Sequence, residues 1–185
     1  LHFADTQNGF VSGAFGLMLA TEDGGKSWRS IATRLDNPRG AHLYALYRQG
    51  ATVLVAGEQG LVLHSSDNGA HFARVPTPYK GSFFGLLATR RGTLVAYGLR
   101  GNAFRSADFG NSWVPVSTGA PVSISAGIER ADGTLVLLAQ NGDLLASRDD
   151  GQTFARRAAA PPFPAAALAA AAGSAHGSAL VLAGL

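Results

Sequence analysis

The sequence predicts an all-β fold, a β-propeller of four-stranded antiparallel blades, with about four and a half blades present. Two observations carry this. One short pattern occurs four times: Thr21-Glu22-Asp23-Gly24-Gly25-Lys26-Ser27-Trp28, Ser65-Ser66-Asp67-Asn68-Gly69-Ala70-His71-Phe72, Ser106-Ala107-Asp108-Phe109-Gly110-Asn111-Ser112-Trp113 and Ser147-Arg148-Asp149-Asp150-Gly151-Gln152-Thr153-Phe154. Its aspartates lie 44, 41 and 41 residues apart, the period of a blade-sized unit. Around each copy, short runs of β-branched, aromatic and Leu residues alternate with Gly-containing turns, giving four strands per unit.

The units follow in order. The first covers 1–34. The second, 41–78, offers strands at 43–49, 52–57, 61–66 and 71–75, with Gly-containing turns between them. The third, 82–118, repeats it at 82–89, 93–98, 102–106 and 112–116, and the fourth, 122–158, at 122–130, 134–139, 143–147 and 153–157. A partial unit, 163–185, trails them. Its Ala- and Pro-rich beginning reads by local propensity as a helix or a linker. Register places 164–172 where the third unit has 82–90, so it is expected to be a first strand, and 179–185 matches a second strand.

Each copy of the pattern has a physical reading as a hairpin clasp. A short acceptor side chain two residues before a glycine can bond the N–H groups of a tight turn, and the glycine can take positive φ. The opening hydroxyl closes the turn from its other side, and the closing aromatic anchors the returning strand in the core. The clasp residues are Asp23, Gly25 and Trp28; Asp67, Gly69 and Phe72; Asp108, Gly110 and Trp113; and Asp149, Gly151 and Phe154. In the second copy His71 stands where the others carry a hydroxyl.

The clasp is similar to the Asp-box, or BNR repeat, of sialidases, other glycoside hydrolases and many non-enzymatic propellers. A longer pattern is more specific: Val55-Ala56-Gly57-Glu58-Gln59-Gly60 leads through the four residues Leu61 to His64 into the clasp at Ser65. Equivalent turns, Gly98-Leu99-Arg100-Gly101 and Ala139-Gln140-Asn141-Gly142, lead into the next two. In this the chain resembles the photosystem II stability/assembly-factor family, whose bacterial members are not confined to photosynthetic organisms. The resemblance implies about seven blades and an exported, periplasmic or envelope-associated protein of a Gram-negative bacterium. Fewer blades are present here, so the chain is expected to be a piece of a longer polypeptide or to close its ring with a second copy, self-associating through open blade edges.

Composition fits this reading. With 46% hydrophobic and 15% charged residues the chain can bury a core blade by blade. It has no Cys, which excludes disulfides and thiolate metal sites. No apolar stretch reaches the length of a bilayer span. The net charge of +3 is dispersed, without a Lys/Arg run or aromatic–basic alternation, so nucleic acid is not an expected partner.

Catalytic readings fare worse than structural ones. A glycosidase needs two carboxylates facing one cleft, and a sialidase a Tyr nucleophile and an arginine cluster. The clasp aspartates are taken up by turns, and the other acids (Asp5, Glu22, Asp36, Glu58, Glu129, Asp132, Asp143 and Asp150) lie mostly in turns or beside clasps. His2, His42, His64, His71 and His176 show no paired metal spacing, and the stretch Asp5 to Gly9 reads as a turn rather than a calcium loop. No catalytic residue, metal or cofactor is expected.

Function is therefore sought in the turns. In a four-stranded blade, the clasps share one face with the turns joining strands one and two. The turns joining strands two and three share the other face with the blade-to-blade connections. That second face gathers Asp36-Asn37-Pro38-Arg39 and His42, Glu58-Gln59, Tyr79-Lys80, Leu99-Arg100 and Gln140-Asn141. Arg39, His42, Glu58, Tyr79, Lys80 and Arg100 are the candidate partner-binding residues, since loops on a rigid scaffold suit recognition. Arg48, Arg90 and Arg91 form a competing basic patch on the clasp face. The expected function is a non-catalytic scaffold for protein–protein binding or assembly, with a membrane-complex subunit as a candidate partner. The alternative is a piece of a carbohydrate-active propeller, sialidase-like or of another glycoside hydrolase type.

Overall fold

A computed structural model describes residues 1–157, 163–170 and 180–183. Four antiparallel sheets of four strands succeed one another along the chain, the blades of a β-propeller. The first holds β1 (His2–Phe3), β2 (Gly9–Ser12), β3 (Met18–Thr21) and β4 (Arg29–Ser30). The second holds β5 (Leu43–Gln49), β6 (Thr52–Gly57), β7 (Val62–Ser65) and β8 (Ala73–Val75). The third is β9 (Phe83–Ala88), β10 (Leu94–Gly98), β11 (Ala103–Ser106) and β12 (Val114–Val116), and the fourth β13 (Ile124–Glu129), β14 (Leu135–Ala139), β15 (Leu144–Ser147) and β16 (Ala155–Arg157). Within every sheet the strand order is the sequence order, so each connection is a local hairpin.

The strands expected at 43–49 and 52–57 are β5 and β6 residue for residue, and most others begin or end within two residues of their expected limits. In the Ala-rich stretch, β17 (Ala167–Ala170) pairs antiparallel with β18 (Leu180–Ala183), Ala167 opposite Ala183 and Ala170 opposite Leu180. Register thus prevailed over the helix propensity of alanine. The expected blade limit at 158, the flanks 171–172 of the expected first strand, and 179 and 184–185 of the second lie outside the described residues.

The second strand of each blade carries the core. β6 is buried from Val53 to Gly57, and β10 and β14 are buried throughout. Covered on both faces, these strands read as continuous apolar runs rather than alternating ones. The fourth strands β8, β12 and β16 stay largely exposed. Contacts divide the chain into two compact units, Leu1–Phe83 with Gly110–Ser112, and Phe84–Phe109 with Trp113–Leu185. In the first, Phe10, Met18, Ile31, Val53, Leu63 and Phe72 pack together. In the second, Val95, Tyr97, Ile124, Leu135, Leu137 and Leu145 do so, with Phe154 against them.

The clasps also join successive sheets. Gly69 has φ 79°, and a Cβ there would lie 2.7 Å from Phe10 Cζ on β2. Gly151 has φ 81°, and its Cβ would lie 2.9 Å from Val95 Cγ2 on β10. Glycine is thus required twice, by the left-handed backbone and by the close seat on the preceding sheet's second strand.

Candidate binding surface

In the fourth clasp Ser147 Oγ donates to Asp149 Oδ1 (2.7 Å) and accepts from the Gly151 N–H (2.9 Å). Asp149 accepts further from the Thr153 N–H (2.9 Å) and hydroxyl (2.5 Å). The first clasp repeats these bonds with Thr21, Asp23, Gly25 and Ser27. In the second the His71 N–H donates to Asp67 Oδ1 (3.0 Å) and its Nδ1 lies 2.8 Å from Oδ2, so the imidazole occupies the hydroxyl's place. In the third, Ser106 Oγ donates to Asp108 Oδ1 (2.7 Å). Donated bonds from Ser27 and Thr21 hold Asp23 down at about 2, those from Thr153 and Ser147 hold Asp149 at about 2, and those from His71 and Ser65 hold Asp67 lower still. Phe72 and Trp113 are buried, while Trp28 is half-buried with its ring 5.9 Å from Phe3, edge to face. These carboxylates are bonded within their own turns.

In the first unit the structure brings several candidate turn residues together. The His42 N–H donates to Glu58 Oε1 (2.9 Å) and the Glu58 N–H to the His42 carbonyl (3.1 Å), so Glu58 braces a loop with its own carboxylate. The preceding loop is clamped by Asn37, which donates to the Ala41 carbonyl and accepts from its N–H, both at 3.0 Å. Between them opens a hollow of about 410 Å³ lined by Pro38, Arg39, Glu58, Gln59 and Arg74, among others. Tyr79 sits beside the same turn: a Cβ on Gly60 would lie 2.0 Å from its carbonyl oxygen, and its ring packs 5.0 Å from Phe83. Lys80 is exposed next to it.

Arg100 belongs to the second unit, exposed at the tip of the 3-10 turn Leu99–Gly101, with its N–H donating to Ser123 Oγ (3.2 Å). Gln140 is bonded through its backbone to Ser123 and Ala165, and Asn141 through its side chain to Asp143. The competing basic patch is largely engaged. Arg48 donates to Asn68 Oδ1 (3.1 Å) and lies 5.5 Å from the Phe10 ring centroid. Arg90 pairs with Glu129 (3.2 Å) and donates to the Arg130 and Ala131 carbonyls. Arg91 remains exposed.

Sequence reasoning missed two residues. Phe15, at the tip of the turn joining β2 and β3, is 82% exposed, and Tyr44 is 46% exposed. The Phe15 ring lies 4.6 Å from that of His42, edge to face, and the Tyr44 ring lies 6.1 Å from His42. A signal existed for Phe15, since Gly13-Ala14-Phe15-Gly16 aligns with Gly57-Glu58-Gln59-Gly60 and puts an aromatic where the other repeats are polar. Tyr44 had none: it is the extra residue of a β-bulge between Leu43 and Ala45, and a bulge re-aims one side chain without changing composition.

Among the described residues no group of three or more His, Asp or Glu is placed to hold a metal ion. Asp5 accepts from the N–H groups of Gln7 and Asn8, both at 2.7 Å, as a turn residue does. No helix among the described residues is long and apolar enough to cross a membrane.

Comparison with known proteins agrees with this geometry. The chain is 30% identical over 73 residues to a photosystem II assembly lipoprotein Ycf48 of Synechococcus sp. (strain CC9902), covering 40% of this chain and 22% of that protein. Its fold matches YCF48 bound to D1 peptide with a TM-score of 0.70 at 19% identity, over 90% of this chain and 54% of that one. It matches YCF48 from Cyanidioschyzon merolae at 0.68 and 16% identity, over 98% and 70%. An ancestral GH74 enzyme shares the fold at 0.66 and 11% identity, over 84% and 24%. The chain thus spans about half of the first of these structures and a smaller part of the Synechococcus protein. The family model described as photosynthesis system II assembly factor YCF48 matches residues 1–157, and the chain belongs to that family.

Proposed function

We propose that the chain is a non-catalytic scaffold that binds a peptide segment of a membrane-complex subunit and holds it during assembly, on the exported side of a membrane. One observation carries the reading. The 37–42 loop and the Glu58 turn of the first unit are fixed by reciprocal hydrogen bonds, so Arg39 and the His42 ring are displayed on a rigid base, with Tyr79 and Lys80 in the next connection. Rigid display reduces the ordering cost of binding. Two relatives support it in kind: one carries a D1 peptide and one is named a lipoprotein.

The fold's carboxylates favour binding over hydrolysis. Asp143 accepts from Arg156 (2.6 Å), Asp150 from Arg105 (2.9 Å), and Glu22 and Glu129 from Arg29 and Arg90. The clasp aspartates, Asp5, Glu58 and Asp132 are each bonded inside their own turns or loops. Acids so committed favour binding over the two-carboxylate chemistry of glycoside cleavage.

The test is fluorescence anisotropy of a fluorescein-labelled D1 peptide with the chain and its variants. Tyr79→Ala and Arg39→Ala are expected to weaken binding about tenfold each, the scale of an interface residue worth about 1.4 kcal/mol, while the fold is retained. Unchanged affinity in both variants refutes this face as the site. Turnover of a fluorogenic glycoside would establish the carbohydrate-active alternative instead.

A further inference from the structure

The Phe15 turn is costly in two independent ways. Phe15 holds φ 55°, ψ 37°, a left-handed backbone that a bulky residue rarely adopts, and its ring is 82% exposed. At this position of a tight hairpin turn Asn, Asp or Gly is the unstrained choice. Among the described residues the Phe15 ring makes an edge contact with His42. Tyr44, its ring 6.1 Å from that of His42, is turned outward by the bulge in β5, and Leu17 adds a third apolar side chain, 43% exposed.

This aromatic patch adjoins the hollow. A Cβ added to Gly16 would lie 3.0 Å from Asn37 Nδ2 and 3.3 Å from Gly40 Cα, so the Phe15 turn touches the loop bearing Pro38 and Arg39. Arg39 and Arg74 line the hollow with one acidic residue, Glu58, whose carboxylate is committed to the His42 N–H. An apolar anchor beside a cationic pocket fits a ligand with apolar and anionic groups in sequence.

We propose that Phe15, His42 and Tyr44, with the Arg39–Arg74 hollow beside them, dock an extended partner segment in which an aromatic or aliphatic side chain is followed by carboxylates. This rests on the scaffold reading above and names the chemistry of its partner. The apolar side chain packs on the three rings, and the carboxylates pair with the two arginines.

Three fluorescein-labelled 12-residue peptides test it by anisotropy: one with a Phe-Leu pair followed by Asp and Glu, one with Lys in place of both acids, and one with Ser in place of Phe and Leu. The chain is expected to bind the first at least tenfold more tightly than the others. Phe15→Gly removes the ring and relaxes the left-handed backbone, so it is expected to lose at least tenfold in affinity with a thermal midpoint no lower than the parent's. Arg39→Ala is expected to abolish the preference for acids over Lys. Equal binding of acidic and Lys peptides, or unchanged affinity in Phe15→Gly, overturns the proposal. A dimeric parent made monomeric by Phe15→Gly, with no peptide bound, overturns it in favour of a second copy as occupant. If the D1 peptide binds and Phe15→Gly changes nothing, only this location fails; if the parent binds neither the D1 peptide nor the acidic peptide, the scaffold reading fails with it.

Discussion

Asp150→Ala removes the partner of a largely buried arginine in the second unit. Asp150 Oδ2 accepts from Arg105 Nη2 (2.9 Å) and from the Thr93 hydroxyl, Oδ1 accepts from Thr89 Oγ1 (3.1 Å), and the two charged side chains are 18% and 15% exposed. Burial raises the Asp150 pKa, yet bonds from Thr93, Arg105 and Thr89 leave it below the ordinary carboxylate range, so the group is charged at neutral pH. Breaking a buried pair from one side costs about 3–5 kcal/mol. Arg105 keeps two bonds, Nε to the Asp150 carbonyl (2.8 Å) and Nη2 to Thr93 Oγ1 (3.2 Å), which lowers the loss to about 2 kcal/mol. Residue 150 also sits at φ 59°, where alanine is strained by about 1 kcal/mol more than aspartate. The total is about 3 kcal/mol, or about 6–12 °C in Tm for a chain of this size. Asp150→Asn, which keeps the shape and tolerates the backbone, is expected to lose about 1 kcal/mol. Urea unfolding in a Trp28→Phe background, where Trp113 reports on the second unit, measures both. A loss under about 0.5 kcal/mol in Asp150→Ala would refute the argument, because it would mean that the ion pair is no more than a solvated surface pair.

The remaining predictions concern the clasps. Asp23, Asp67 and Asp149 are held below the ordinary value of 3.8, Asp23 and Asp149 at about 2, so their bonds stabilise the fold fully above about pH 4. That contribution is lost as pH falls from about 4 to about 2, and thermal midpoints measured between pH 7 and pH 2 should drop within that window. A midpoint that stays flat down to pH 2 would contradict it. Gly151→Ala meets both a left-handed φ and a contact at 2.9 Å with Val95, and is expected to cost about 2–4 kcal/mol in urea titration. Gly133→Ala, at φ 82° with nothing within 4 Å, should cost only about 1 kcal/mol, so equal losses in the two variants would rule out the close seat on Val95.

The fold was legible because the clasp is local. Ser65, Asp67, Gly69 and His71 satisfy one another within seven residues, so their spacing alone specifies the turn, and the turn fixes the register of the strands on either side. What depends on distant contacts was not legible. Asp150 reads as a turn acid beside a clasp, and only the fold brings Arg105 to it across 45 residues. Glu58 and Arg90 read as available charges, and the fold commits them to the His42 N–H and to Glu129. Tyr44 reads as one more strand residue until a bulge turns it outward.

The turn between the second and third strands combines one backbone requirement with varied side chains in this repeat. Phe15, Gln59 and Arg100 all hold φ near 57°, each followed by a glycine with positive φ, so the backbone requirement is shared while the side chains differ in chemistry. A fold optimised for stability alone would place Asn or Gly at all three and gain about 1 kcal/mol at each. The chain instead carries an aromatic, an amide and a guanidinium there, at positions where side-chain identity gives the backbone no benefit. On the scaffold reading proposed above, these tips serve what they touch outside the fold. It makes the set Phe15→Gly, Gln59→Gly and Arg100→Gly informative as a group: each should leave stability level or higher, and any loss of partner affinity is then attributable to the side chain and not to the turn.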